Sequence, residues 1–284
     1  MEGAGVLVRR SFPSRDLDFP DPFLLFDHFG SDDPQDYLAG FPLHPHRGIE
    51  TVTYILAGTI NHRDSIGNSG AIGAGDVQWM TAGGGILHEE MPRPVQGKME
   101  GFQLWVNLPS QLKMSRPHYQ EISSDAVPVV QLENGVSVRV IAGCFDNVRG
   151  PVVGIAADPV YLDVQLTAEA RFTLPTIPGH TLLVYLYHGR ADFFTCAEDI
   201  IDRTADELPV PAQFNALRLL TFGDGDLLTA CAGPQTARFL VMMGKPTGEA
   251  IVRYGPFVMN TQQEIAQALQ DLHNGTFVKS RSTE

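Results

Sequence analysis

The strongest constraint on the fold is the punctuation of the chain. Short runs rich in Val, Ile, Leu, Tyr and Thr recur between clusters of Gly, Pro and Asp: Thr51–Leu56, Val77–Thr81, Gln103–Leu108, Val136–Ala142, Leu182–Tyr187, Leu217–Phe222 and Ala237–Met243. β-Branched and aromatic residues pack well on a pleated surface, and the punctuating residues supply turn conformations. Several short strands at this spacing predict an all-β sandwich or barrel. One helix is predicted near the end. Thr261-Gln-Gln-Glu264 has capping-box spacing, Ile265, Leu269 and Leu272 follow at i, i+4 and i+7, and Gly275 fits the C-terminal stop.

The strand pattern repeats. Thr-Val-Thr-Tyr-Ile-Leu-Ala-Gly (51–58) lies on Leu-Leu-Val-Tyr-Leu-Tyr-His-Gly (182–189), superposing Tyr54 on Tyr185 and Gly58 on Gly189, and the same offset places Gly48 on Gly179. Gly73-Ala-Gly75-Asp76-Val77 is echoed by Gly223-Asp-Gly225-Asp226-Leu227, each a turn leading into an apolar strand. Two related β-domains are expected, divided in the polar stretch Ser123–Pro128 into residues 1–125 and 126–284. The alternative is that β-proteins reuse such fragments and the match arises by chance.

Composition narrows the function. A chain of 284 residues that is 43% hydrophobic and 19% charged can bury a sizeable core. Its net charge of −13 opposes direct binding to nucleic acid or anionic lipid. The three cysteines, Cys144, Cys196 and Cys231, have no CxxC spacing, so neither a disulfide framework nor a thiolate metal site is supported. No run approaches the ~20 apolar residues that span a bilayer, and the N-terminus lacks an apolar signal region. A cytoplasmic protein is expected.

Two segments carry chemistry. In Phe41-Pro-Leu-His44-Pro-His46, side chains two apart on an extended strand point to one face, so His44 and His46 can converge, with Pro45 holding the pair extended. In Gly83-Gly-Gly85-Ile-Leu-His88-Glu89-Glu90, the same parity puts Glu90, and not Glu89, beside His88. A single histidine in a β-protein is usually a surface or hydrogen-bonded residue. Two same-face pairs in one repeat instead suit a first-row transition metal with three nitrogens, one oxygen and an open position. The repeat supplies an internal control: its offsets place Pro175, Ile177, Arg238 and Leu240 opposite His44, His46, His88 and Glu90, and none of those four can form such a site. The second domain is therefore expected to be metal-free.

These residues resemble the pirin family of the cupin superfamily. The likeness is carried by His-Pro-His-Arg-Gly-Ile-Glu-Thr-Val-Thr-Tyr (44–54), Gly-Asp-Val-Gln-Trp-Met-Thr-Ala-Gly (75–83), Gly-Ile-Leu-His-Glu-Glu-Met-Pro (85–92), Leu-Trp-Val-Asn-Leu-Pro (104–109) and Tyr-Gly-Pro-Phe-Val-Met-Asn (254–260), covering nearly the whole chain. The resemblance implies a bicupin of two antiparallel β-barrel (jelly-roll) domains. It implies one divalent transition metal, iron(II), in the first domain, with His44, His46, His88 and Glu90 as ligands. Glu50, at a ligating position in many cupins, and Gln78, near the slot of another ligand, are read as non-ligands.

The implied activity is that of a quercetin 2,3-dioxygenase, with a flavonol-like aromatic substrate and O2, and Glu90 as general base. Phe23, Phe26, Phe29, Phe41 and Trp105 are aromatics able either to wall such a site or to fill the core. The alternative is a non-enzymatic, iron-dependent regulator that engages a transcription factor or metabolic enzyme through protein contacts. A monomer is expected, since the duplication supplies the pairing of barrels within one chain. His62-Arg63-Asp64 mimics a kinase fragment without the accompanying motifs, and Gly83–Gly85 lacks the Lys-Ser or Lys-Thr of a phosphate loop. His180 and His188 are read as non-ligands because neither has a same-face partner.

Overall fold

A computed structural model describes residues 2–93, 97–194 and 214–279. The chain forms two compact units, one of Met1–Ser124 with Thr247–Glu284 and a second of Asp125–Pro246. Cys196 lies outside the described residues.

The first unit has a six-stranded antiparallel sheet in the order Val8–Phe12, Phe23–Ser31, Met99–Asn107, Ile49–Ala57, Val77–Thr81 and His118–Ile122. A four-stranded sheet runs Phe41–His46, Ile86–Arg93, Thr59–Asp64 and Ser69–Ile72. The second unit repeats this plan. Its six-stranded sheet is Val129–Leu132, Val136–Ala142, Val160–Leu166, Ala237–Gly244, Thr181–His188 and Arg218–Thr221, and its smaller sheet is Arg171–Pro175, Leu227–Ala232, Arg190–Phe194 and Phe214–Asn215. The all-β architecture with antiparallel sheets and one C-terminal helix is thus the expected one.

The shared sheet order corrects the register of the repeat. Gly73–Asp76 leads into Val77–Thr81, beside the central strand of the large sheet, whereas Gly223–Asp226 leads into Leu227–Ala232, in the small sheet. The two Gly-Asp turns are therefore not equivalent. Strand pairing gives the proper counterparts: Glu90 faces His62 as Ala230 faces Phe193, and His44 faces His88 as Leu174 faces Leu228. Leu174, Leu228 and Ala230, with Thr176 two residues beyond Leu174, stand where His44, His88, Glu90 and His46 stand, in place of Pro175, Arg238, Leu240 and Ile177.

The tail after residue 246 also departs from a division at 125/126, because it packs with the first unit. Val258 N–H donates to the Arg47 carbonyl (3.1 Å), and the Arg47 guanidinium pairs with Asp271 (2.7 Å) while covering the Phe277 ring at 4.4 Å. Lys113 Nζ donates to the carbonyls of Gly48 and Val258 (both 2.9 Å) and to Asn107 Oδ1 (2.8 Å). Three acceptors match the three N–H bonds of an ammonium, while burial pushes the Lys113 pKa down to about 8. Gly48, at φ +80°, cannot be replaced: a Cβ there would lie 2.0 Å from the Val258 oxygen.

The helix spans Gln262–His273, with both halves of the capping box formed between Thr261 and Glu264 and Gly275 at φ +72° just beyond it. Its buried face differs from the predicted stripe. Ile265 and Ala268 pack against Phe257, Met259 and Phe277, while Leu269 and Leu272 are 38% and 37% exposed. The surface it covers is a short hairpin, Val252–Tyr254 with Phe257–Met259, narrower than a 3.6-period stripe can use.

Candidate metal centre

The adjacent strands Phe41–His46 and Ile86–Arg93 of the small sheet build the site. Pleating alternates the side chains of the second strand, so Ile86, His88 and Glu90 are buried while Glu89 turns outward to an ion pair with Arg63. The glycine run before it serves close approach: a Cβ on Gly83 would meet the Ser115 carbonyl, and one on Gly85 the Phe277 carbonyl.

His44, His46 and His88 form a cluster in which one candidate ligand atom from each lies within 4.8 Å of the others. Ring centroids are 4.4 Å apart for His44–His88, 4.8 Å for His44–His46 and 5.0 Å for His46–His88. His44 Nδ1 is 2.9 Å from the Pro42 carbonyl, which can only accept, so in the neutral ring that nitrogen carries the proton and leaves Nε2 as the ligating atom. That Nε2 lies 3.0 Å from His46 Nε2. His88 is 1% exposed, and neither of its ring nitrogens has a hydrogen-bond partner.

Electrostatics favour the ligating form of the imidazoles. Burial, followed by repulsion from the neighbouring histidines, holds His46 and His88 well below the usual histidine pKa. Neutral imidazoles offering lone pairs to one another gain nothing by meeting, and an orphaned buried polar group costs about 1–3 kcal/mol. A first-row transition cation removes both penalties, so the donor set fits one.

Glu90 stands outside the 4.8 Å cluster but lines the same cavity as His44 and His46. Its Oε1 accepts from Thr53 Oγ1 (3.0 Å), and Thr53 Oγ1 is also 2.8 Å from the Gln103 amide. One hydroxyl proton cannot serve both, so with Glu90 ionised the amide must present its NH2 to Thr53. Burial raises the Glu90 pKa, opposed first by His44 and then by the Thr53 hydrogen bond.

The cavity measures about 460 Å³ and is walled by Phe41, Gln103, Trp105, Arg253 and Pro256. Trp105 meets the His46 ring edge-on at 5.1 Å. Of the aromatics weighed from sequence, Phe41 and Trp105 face the cavity, whereas Phe23, Phe26 and Phe29 are core. Glu50 accepts from Trp79 Nε1 (3.1 Å) and Thr81 Oγ1 (2.8 Å), and Gln78 donates to Glu121 (3.2 Å); neither joins the cluster. His180 and His188 also lie outside it.

Sequence reading missed Thr53, His62, Gln103 and Arg253. His62 had a signal in the discarded His62-Arg63-Asp64: parity on Thr59–Asp64 buries Ile60 and His62 together and sets His62 across from Glu90. Its Nε2 is 3.0 Å from Glu121, and the ring stands close enough to His88 and Glu90 to act on both electrostatically. Arg253 had none, being brought beside His46 only by the packing of the tail.

Known proteins place this geometry in a family. Residues 5–106 match the pirin family model and residues 161–278 the pirin C-terminal cupin domain. The chain is 43% identical to a pirin-like protein of Caulobacter vibrioides over 277 residues, covering 97% of this chain and 94% of that one. It is 40% identical to human pirin over 275 residues, 96% of this chain and 88% of that one. Among solved structures, a quercetin 2,3-dioxygenase from Acinetobacter baumannii superposes with a TM-score of 0.84 at 35% identity, over 98% of this chain and 93% of the other. On sequence and fold alike, the chain belongs to the pirin family.

Proposed function

We propose that the chain is a dioxygenase that opens the central ring of a quercetin-like flavonol with O2. The carrying observation is that His44, His46 and His88 cluster beside a cavity lined by His44, His46, Glu90 and two aromatic walls. Its volume falls in the range that encloses small ligands. The likeness to the A. baumannii quercetin 2,3-dioxygenase supports the same reading.

His44, His46 and His88 would hold an iron(II) ion, with Glu90 as the oxygen donor beside them. When bound, such an ion supplies Lewis acidity toward a hydroxyl group and electron-transfer chemistry toward dioxygen. Glu90, its basicity raised by burial, accepts the proton of the flavonol 3-hydroxyl. Thr53, backed by Gln103, holds the carboxylate in place through Oε1. Phe41 and Trp105 provide the apolar walls for a planar ring. Two carbon–carbon bonds break, the carbon bearing the 3-hydroxyl leaves as carbon monoxide, and both atoms of O2 enter the ester product.

The test is quercetin turnover under oxygen with carbon monoxide detection, on iron-loaded wild type and on His44→Ala. Turnover by the wild type alone is expected. No carbon monoxide from fully loaded protein overturns the reading and leaves regulation through a protein partner as the function to pursue.

A further inference from the structure

We infer that Arg253 selects the ligand of this cavity, and that the preferred ligand is a planar aromatic bearing a carboxylate or comparably ionised oxygen. The inference shares with the proposed function only the premise that the wall holding His44 and His46 belongs to a ligand site.

Arg253 lines the cavity and is held there before any ligand arrives. Its Cζ sits 5.0 Å from the Trp105 ring centroid and 5.9 Å from that of Phe19, and its Nε donates to the Gly255 carbonyl (3.0 Å). Two aromatic contacts and one hydrogen bond fix the plane of the guanidinium, so little ordering remains to oppose binding.

What the side chain lacks is a direct ion pair. The acids on the same wall are engaged elsewhere: Asp27 gives both oxygens to Arg10 (2.9 and 2.7 Å), and Glu2 pairs with Arg10 at 2.9 Å. Among the described residues, Arg253 has no ion pair, and its terminal nitrogens make no hydrogen bond. Burial and then the nearby Arg10 weigh against its charge, and the more distant charges of Glu2, Asp27 and Asp18 oppose them only in part. A half-buried guanidinium with a free fork matches a carboxylate in two parallel hydrogen bonds.

The spacing suits a single ring. Trp105 is 5.1 Å from the His46 ring and 5.0 Å from Arg253 Cζ, so no more than about 10 Å separates the arginine from the histidine wall. A ligand with one oxygen toward the histidines and an anionic oxygen toward Arg253 spans that gap along Trp105.

The test compares 4-hydroxybenzoate with its neutral isostere 4-hydroxybenzamide, on the full chain with metal and after chelation. Binding is followed by calorimetry and by quenching of Trp105, the second tryptophan, Trp79, being buried in the core. The acid is expected to bind wild type about tenfold or more tighter than the amide, with or without metal. Arg253→Met should lower the acid to the affinity of the amide, while Arg253→Lys keeps part of the preference. Lysine preserves the charge if methionine proves unstable. Equal binding of the two probes, binding of neither, or a preference that survives Arg253→Met overturns the inference. If discrimination holds but quercetin releases no carbon monoxide, the dioxygenase reading fails and this one stands; turnover without discrimination is the reverse.

Discussion

The two units share a sheet order and differ in what fills them. Among the described residues of the first, His46, Arg47, Glu50, Thr53, His62, His88 and Glu90 are among the buried polar side chains; in the second these are Asp163 and Thr229. Where His44, His88 and Glu90 stand in one, Leu174, Leu228 and Ala230 stand in the other, and these three belong to its continuous apolar core with Phe172 and Phe239. The same pleat positions therefore carry an apolar contact in one unit and the histidine cluster in the other. The apolar solution is self-sufficient, since each buried leucine contributes about 1.5–3 kcal/mol. The polar one is costly until something binds.

Making the first unit resemble the second breaks the comparison most severely. His44→Leu with His88→Leu should reduce bound metal from about one equivalent to none, read by elemental analysis of anaerobically purified protein. The same double variant should unfold at a higher temperature than the chelated wild type, because orphaned nitrogens are replaced by apolar surface. A well-loaded double variant would remove the histidines from the metal site. The reverse exchange is smaller. Leu228→His should cost about 3 kcal/mol in denaturant unfolding, through a cavity and an unpaired imidazole, and gain no metal.

Protons sharpen the contrast further. In chelated protein His46 and His88 stay neutral below pH 6.5, where their unfolded counterparts take up protons, so stability should fall as pH drops through that window. Two such groups give a slope of at most about 2.7 kcal/mol per pH unit. Glu90, with its raised pKa, holds its proton in the folded state at a pH where the unfolded carboxylate has lost it, and so opposes the trend above pH 4.5. His88→Leu should about halve the slope; an unchanged slope would mean that the burial of His88 is not its source.

Much of the centre was legible because strand parity is a local rule. It separated Glu90 from Glu89 and paired His44 with His46 and His88 with Glu90 without knowledge of the sheet, while the pairing of the two strands brings the pairs together. The capping box and Gly275 were legible for the same reason, since each is set within a few residues. What escaped depends on contacts distant in sequence. Leu269 and Leu272 have helical spacing, but only the narrow hairpin before the helix decides that Ala268 is covered instead. The repeat slipped because a Gly-Asp turn satisfies backbone geometry wherever it falls, and only pairing such as His62 with Glu90 fixes the register. Arg253 reaches the cavity through the packing of the tail, where the partners of Arg47 and Lys113 lie more than a hundred residues away from them.

The tether from Arg47 and Lys113 to the tail bears on the order in which this protein is made. The strands carrying His44, His46 and His88 leave the ribosome early, yet Arg253 and Pro256 follow only after residues 125–246 have been synthesised. Until then Arg47 lacks Asp271 and Phe277, and Lys113 lacks the Val258 carbonyl, so the segment beside His46 has nothing to close against. Domains usually fold as units during synthesis. Here the first unit receives its last segment only after the second has been synthesised, and its cavity is among the last parts of the chain to be completed.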